Sequence, residues 1–208
     1  MQIKKIRVTA LDLYSNCPYC WFLSVSGVKQ PSNPILELGS AVHKGIEEYH
    51  RFGKRAFSAQ TAPFLKAYTE IYRPEYQKVE EKFIIPLFDT GIMLTGTMDL
   101  VKNNWIFEHK TSATNWTQKR ADEHKQVTAY SYAYRQIFKK EEQGIRFNIL
   151  VKNKTPKVQL LDTFRNELDY MIWKEWVLSI LDGIKNNQFE PSFSRWHIYK
   201  ICPNSVQR

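Results

Sequence analysis

Leu38, Val42, Ile46 and Tyr49 recur at intervals of three and four, the spacing of one helical face, and predict a helix over about 37–52. Upstream, Thr9-Ala-Leu-Asp12 reads as a capping box that opens a helix through about residue 25. Gly27, Pro31 and Pro34 then mark a loop over 27–34. Another helix is expected over about 59–72. Strand-like runs over 78–87 and 92–102, joined around Asp89-Thr90-Gly91, continue into a third at 105–111 and predict a meander. An Ala-, Tyr- and Gln-rich helix over 119–140 follows, then strands at 145–151 and 157–161 and a last helix over 166–186. The tail from Phe189 is aromatic and irregular. Strands cluster in the middle with helices on both flanks, an α/β pattern without internal repeats. The reading is one domain, 1–208, with a helical part at about 1–77, an α/β core at 78–165 and a C-terminal helix and tail at 166–208.

Composition narrows the functional classes. At 208 residues the chain can bury a sizeable core, and 43% apolar content with 11 Tyr, 12 Phe and 6 Trp excludes a disordered protein. The net charge of +9 makes a polyanion a plausible partner, through phosphate neutralisation and counterion release. Basic residues group at Lys4, Lys5 and Arg7, at Lys119, Arg120 and Lys125, and at Lys152, Lys154 and Lys157. The middle group, with Trp116 nearby, is the one expected to touch phosphates. No apolar run approaches the roughly 18 residues of a membrane span. The start MQIKKIRVTALDLY lacks a signal peptide's apolar stretch. Three cysteines, an odd number, argue against a secreted disulfide framework. A cytoplasmic protein, of a prokaryotic cell or a virus-infected host, is therefore expected, with no membrane partner.

The candidate chemistry lies in GTMDLVKNNWIFEHKTS. If Asn103-Asn104 forms a hairpin turn, positions summing to 207 face each other, which sets Asp99 against Glu108 and Thr97 against Lys110. Opposed like charges destabilise a strand pair unless a cation lies between them. A divalent ion preferring oxygen ligands, Mg²⁺ or Mn²⁺, would resolve the conflict. Glu108 and Lys110 share a face, so two carboxylates and an ammonium converge, as metal-assisted phosphodiester hydrolysis requires. A Glu-His-Lys tripeptide near a hairpin also arises often by chance. His43, with Glu47 one turn on and Gly39 permitting a close backbone approach, is a candidate imidazole ligand or an ordinary helical histidine. Gln126 and Tyr130, at i and i+4, offer hydrogen bonds and a ring to a nucleic acid, or belong to the core face of their helix.

Five segments in order, TALDLYSNCPYC, LGSAVH, GTMDL, FEHKTS and QVTAY, make the chain resemble the RecB-like branch of the PD-(D/E)XK nuclease superfamily. The resemblance implies a restriction-endonuclease-like α/β core, a central mixed β-sheet flanked by α-helices. It makes Asp99, Glu108 and Lys110 catalytic. His43, Asp99, Glu108 and the His109 backbone carbonyl become metal ligands, and Gln126 and Tyr130 complete the site on the substrate side. Thr111, Arg120 and Lys119 are read beside these as further DNA-binding candidates. Some members of the branch hold an iron–sulfur cluster on four cysteines. This chain has Cys17, Cys20 and Cys202 only, so such a cluster is not expected, and His197 leaves a secondary metal site of Cys17, Cys20, His197 and Cys202 conceivable.

The expected protein is a Mg²⁺- or Mn²⁺-dependent deoxyribonuclease. An exonuclease processing DNA ends in repair, recombination or phage replication is preferred to an endonuclease. Its substrate would be single-stranded or end-containing duplex DNA. Unwinding or strand capture would come from a helicase, an annealing protein or a single-strand-binding protein. The alternatives are a nuclease of CRISPR spacer acquisition and a non-catalytic DNA-binding module on the same fold.

Overall fold

The computed structural model describes residues 1–28, 33–74, 78–152 and 155–192. The chain divides into two units, one of 1–32, 84–96 and 167–208, the other of 33–83 and 97–166. The order of elements is β1 (Lys5–Arg7), α1 (Val8–Asn16), α2 (Pro18–Val25), α3 (Pro34–Phe52), α4 (Ala62–Ile71), β2 (Val79–Pro86), β3 (Met93–Lys102), β4 (Trp105–Ser112), α5 (Gln118–Asp122), α6 (Lys125–Phe138), β5 (Gly144–Val151), β6 (Lys157–Thr163) and α7 (Glu167–Lys185). This is the α/β class read from the sequence, a mixed sheet flanked by helices. None of the described helices is long and apolar enough to cross a membrane.

In the first unit, the single helix expected over 9–25 is two. Pro18 has no N–H and forces its predecessor out of the helical region, so Cys17 is extended (φ −159°, ψ 103°). The Cys17 Sγ accepts the Cys20 N–H at 3.4 Å and serves as the cap of α2. The capping box does not form, because α1 begins at Val8 and its cap residue, Arg7, makes no side-chain bond. The short strand β1, absent from the sequence reading, pairs parallel with the start of β3, Ile6 against Leu94. Cys17 and Cys20 are buried against Leu13, Tyr19 and Leu23. Cys17 Sγ also accepts the Ser192 N–H. His197 and Cys202, the other half of the secondary metal site, lie outside the described residues, as does Lys154.

In the second unit, α3 starts earlier than expected. Asn33 caps it by accepting the Ile35 N–H at 2.9 Å, and Pro34 is its first residue, where a missing N–H costs nothing. Gly53 ends it in the left-handed conformation (φ 65°). The α3 face Val42, Ile46 and Tyr49 packs with Phe64, Leu65 and Tyr68 of α4 and Leu150 of β5. Burying each such side chain contributes about 1.5–3 kcal/mol.

β3 and β4 are antiparallel, β4 and β5 parallel, and β5 and β6 antiparallel. The hairpin is as read from the sequence: Leu100 faces Phe107, Val101 faces Ile106 and Lys102 faces Trp105. Asn103 and Asn104 both take positive φ (50° and 63°), as a type I′ turn requires. Asn104 is held by the Tyr134 hydroxyl (3.2 Å) and the Lys140 ammonium (2.7 Å). Successive residues of β4 serve opposite faces: the His109 ring meets Tyr68 of α4, and Lys110 bonds Gln126 of α6.

The long helix expected over 119–140 is also two. The buried Arg165 guanidinium donates to the carbonyls of Ala121 and His124 and takes up acceptors that a continuous helix would use internally. His124 itself stacks on Trp116 (5.5 Å between centroids) and meets Phe147 edge-on (5.2 Å), with no hydrogen-bond partner at Nδ1. Burial, reinforced by the charges of Lys110, Arg120 and Arg165, lowers its pKa from 6.5 to about 3. The folded state thus refuses a proton that the unfolded chain accepts. The stability His124 contributes is complete above pH 6.5 and is lost as pH falls from there towards 3, with a slope of at most about 1.4 kcal/mol per pH unit. Urea midpoints at pH 7.5, 5.5 and 4.5 should therefore fall with pH, and fall less in His124→Phe. Equal slopes in the two proteins would remove His124 from this account.

Candidate active site

The strand pair stops short of the two carboxylates. Its last bridged pair is Leu100 with Phe107. The next outward N–H, that of His109, donates instead to Asp99 Oδ2 at 2.7 Å. Asp99 and Glu108 are therefore not bridged as the extrapolated register implied. The ladder ends, and side-chain chemistry begins in its place. Asp99 is 9% exposed and Glu108 1%.

α3 brings His43 to this point. His43 Nδ1 lies 3.6 Å from Asp99 Oδ1. Gly39, one turn earlier, lets the helix approach β4 closely, since a Cβ there would stand 3.3 Å from Thr111 Oγ1. Burial of His43 disfavours its charge, but the adjacent Asp99 carboxylate outweighs this and raises its pKa to about 9. For Asp99, burial opposes ionisation, yet His43 and the His109 N–H prevail and hold it below the usual carboxylate range. Glu108 is pushed the other way, first by burial and then by the Asp99 charge, against the pull of Lys110.

On the α6 side the contacts form a chain. Lys110 Nζ lies 2.6 Å from Glu108 Oε1 and donates to Gln126 Oε1 at 2.7 Å. Gln126 Nε2 in turn donates to the Tyr130 hydroxyl at 2.6 Å. The i, i+4 spacing of Gln126 and Tyr130 thus serves one line of hydrogen bonds. Tyr130 is 4% exposed with its ring edge-on to Phe83, so the ring itself is a core group.

The sequence reading therefore assembled His43, Asp99, Glu108, His109, Lys110, Gln126 and Tyr130, and the structure brings these seven together. Thr111 adjoins them through its contact with α3. Lys119 and Arg120 sit on α5 with other neighbours: Lys119 lies 3.7 Å from Glu123, and Arg120 lies over the Trp116 ring at 4.0 Å.

Two groups went unnoticed in the sequence. Glu80, at the start of β2, places a carboxylate oxygen with ligand atoms of His43 and Asp99, all within 4.8 Å of one another. Its pKa is raised to about 7, chiefly by burial and then by Asp99. No spacing rule marks it, because it enters through a left-handed residue (φ 52°) at a strand end. Asn148 fixes the other side of His109. The Tyr72 hydroxyl donates to Asn148 Oδ1 at 2.6 Å, which leaves the amide NH₂ to donate to His109 Nδ1 at 3.1 Å. Burial lowers the His109 pKa to about 3, so this ring is neutral.

The residues suit a hard divalent cation. Ligands of one such ion stand up to about 4.2 Å apart when metal–oxygen distances are about 2.1 Å, so groups within 4.8 Å need only small side-chain adjustments to share it. Glu108 Oε2 is buried with no hydrogen-bond partner, a position tenable for a carboxylate that binds a cation.

A family model described as the PD-(D/E)XK nuclease superfamily matches residues 6–73 and 54–204. The chain belongs to that superfamily, whose nucleases use divalent metals. Its fold is similar to that of a Eubacterium rectale protein named provisionally as an exonuclease, with 16% identity and a TM-score of 0.69 over 97% of this chain and 88% of the other. It is also similar to the protein SSO0001, with 14% identity and a TM-score of 0.60 over 99% of this chain and 87% of that one. No curated protein matches the sequence.

Proposed function

We propose that this protein is a Mg²⁺- or Mn²⁺-dependent deoxyribonuclease that acts from DNA ends. The observation that carries the proposal is Lys110 Nζ set between Glu108 Oε1 and Gln126 Oε1, beside the Asp99 and His43 pair. His43, Asp99, Glu108 and the His109 carbonyl would hold the cation. Bound there, it would supply Lewis-acid polarisation of a phosphoryl oxygen and a lowered water pKa. The Lys110 ammonium directs and polarises the attacking water and stabilises the charge that grows on the phosphate. Gln126, steadied by Tyr130, fixes the ammonium in that place. The net charge of +9 supports a polyanionic substrate. The naming of the Eubacterium rectale protein supports an exonuclease.

The test is a time course on 5′- and 3′-labelled linear DNA and on closed circular DNA, with Mg²⁺, Mn²⁺ or EDTA. Progressive shortening of linear DNA alone, abolished by EDTA, is expected. Linearised circles would make the protein an endonuclease. Salt-sensitive binding without cleavage in either metal would leave only a DNA-binding module.

A further inference from the structure

The Asp99–Glu108–Lys110 set does not balance a divalent ion by itself. With His43 neutral, as a ligand must be, two carboxylates against one ammonium leave a single negative charge. A third carboxylate brings the site to the charge of one Mg²⁺ or Mn²⁺, and the structure contains one. Glu80 reaches the same space as His43 and Asp99, with ligand atoms of all three within 4.8 Å. Glu108 adds an independent sign of a missing ligand: it is 1% exposed and its Oε2 has no hydrogen-bond partner.

The backbone around Glu80 is held in place by other contacts. Lys78 and Glu80 take positive φ (50° and 52°), which few residues other than glycine adopt without cost. Between them, Val79 is buried with Leu100 and Phe107. Its carbonyl accepts from Arg51 Nη2 at 2.7 Å, while the Lys78 carbonyl accepts the Val101 N–H at 3.0 Å. These contacts commit Val79 to the core and leave Glu80 on the side of His43 and Asp99.

We infer that Glu80 is a direct ligand of the divalent cation, together with His43 and Asp99. The inference rests on the metal-dependent reading above. With the His109 carbonyl, it makes the cation site one imidazole, three carboxylates and a main-chain oxygen, a donor set that favours Mn²⁺ and Mg²⁺ over softer metals.

Mn²⁺ binding in the absence of DNA tests it without recourse to activity. Free Mn²⁺ is followed by electron paramagnetic resonance at pH 7.5 with wild type, Glu80→Gln, Glu80→Asp, Asp99→Asn and Glu81→Gln. Glu80→Gln should weaken Mn²⁺ binding about tenfold or more, on the scale of lost metal-site interactions. Glu80→Asp, which keeps the charge and tolerates positive φ well, should fall between it and wild type. It also serves as the reading variant if Glu80→Gln is unfolded by circular dichroism. Glu81→Gln, the adjacent carboxylate, should bind as wild type does. If Asp99→Asn loses Mn²⁺ while both folded Glu80 variants match wild type, Glu80 is not a ligand and the nuclease reading stands. If wild type itself takes up no Mn²⁺ at millimolar concentration, both fall.

Discussion

Lys110→Met is expected to lower the rate of DNA cleavage by about a thousandfold or more while Mn²⁺ binding persists. Removing one preorganised donor to developing charge in an enclosed site costs about 10²–10³ in rate. Lys110 supplies a full positive charge as well as a donor, which sets the larger figure. Its ammonium is held by two short contacts, 2.6 Å to Glu108 Oε1 and 2.7 Å to Gln126 Oε1. A group fixed in this way needs no reorganisation when the phosphate charges up. Methionine preserves the length and most of the volume of the side chain, and a quarter of the lysine side chain is exposed, so the variant should fold. The paired measurements are single-turnover cleavage and Mn²⁺ affinity. Cleavage within tenfold of wild type would remove Lys110 from the chemistry. Cleavage and Mn²⁺ binding lost together would mean that the lysine acts by holding the metal carboxylates rather than on the substrate.

The parts of this site that were legible in the sequence are those governed by local rules. A two-asparagine turn fixes a hairpin register, and that register places Asp99, Glu108 and Lys110 at one end of two strands. Helical spacing placed Gln126 and Tyr130 on one face. What escaped was decided by distant partners or by backbone exceptions. The break between α5 and α6 depends on Arg165, forty-one positions beyond His124. Glu80 enters through a left-handed residue that a strand pattern cannot signal. The break at Cys17 was legible, because Pro18 stands in the sequence, but the apolar run on either side of it masked the stop.

The two faces of β4 also divide the labour in a way the tripeptide Glu-His-Lys does not disclose. Glu108 and Lys110 meet α6, whereas the His109 ring is packed against Tyr68 and bonded to Asn148. The middle residue thus contributes its main chain to the site, while its ring packs against Tyr68 and also meets the His43 ring edge-on at 6.1 Å. Its N–H holds Asp99 at 2.7 Å, so the packing that anchors the His109 ring also sets the position of that carboxylate.

Glu108→Gln is expected to end cleavage and, at the same time, to stabilise the metal-free protein by about 1–3 kcal/mol, the cost of a buried polar group left without full compensation. Glu108 is 1% exposed, one of its oxygens has no hydrogen-bond partner, and the Asp99 charge disfavours its own. Glutamine keeps the shape and an acceptor for Lys110 while it removes the repulsion. The sign should reverse with metal. A cation that binds only the folded state stabilises it by about 2.7 kcal/mol at a hundred times its dissociation constant, and wild type alone should receive that gain in full. Urea unfolding at pH 8 with EDTA and with saturating Mn²⁺ measures both halves. A Glu108→Gln protein less stable than wild type in EDTA would show that the Lys110 ion pair outweighs the desolvation and repulsion at this position. The charge conflict could then no longer stand as the reason this strand end is built to receive an ion.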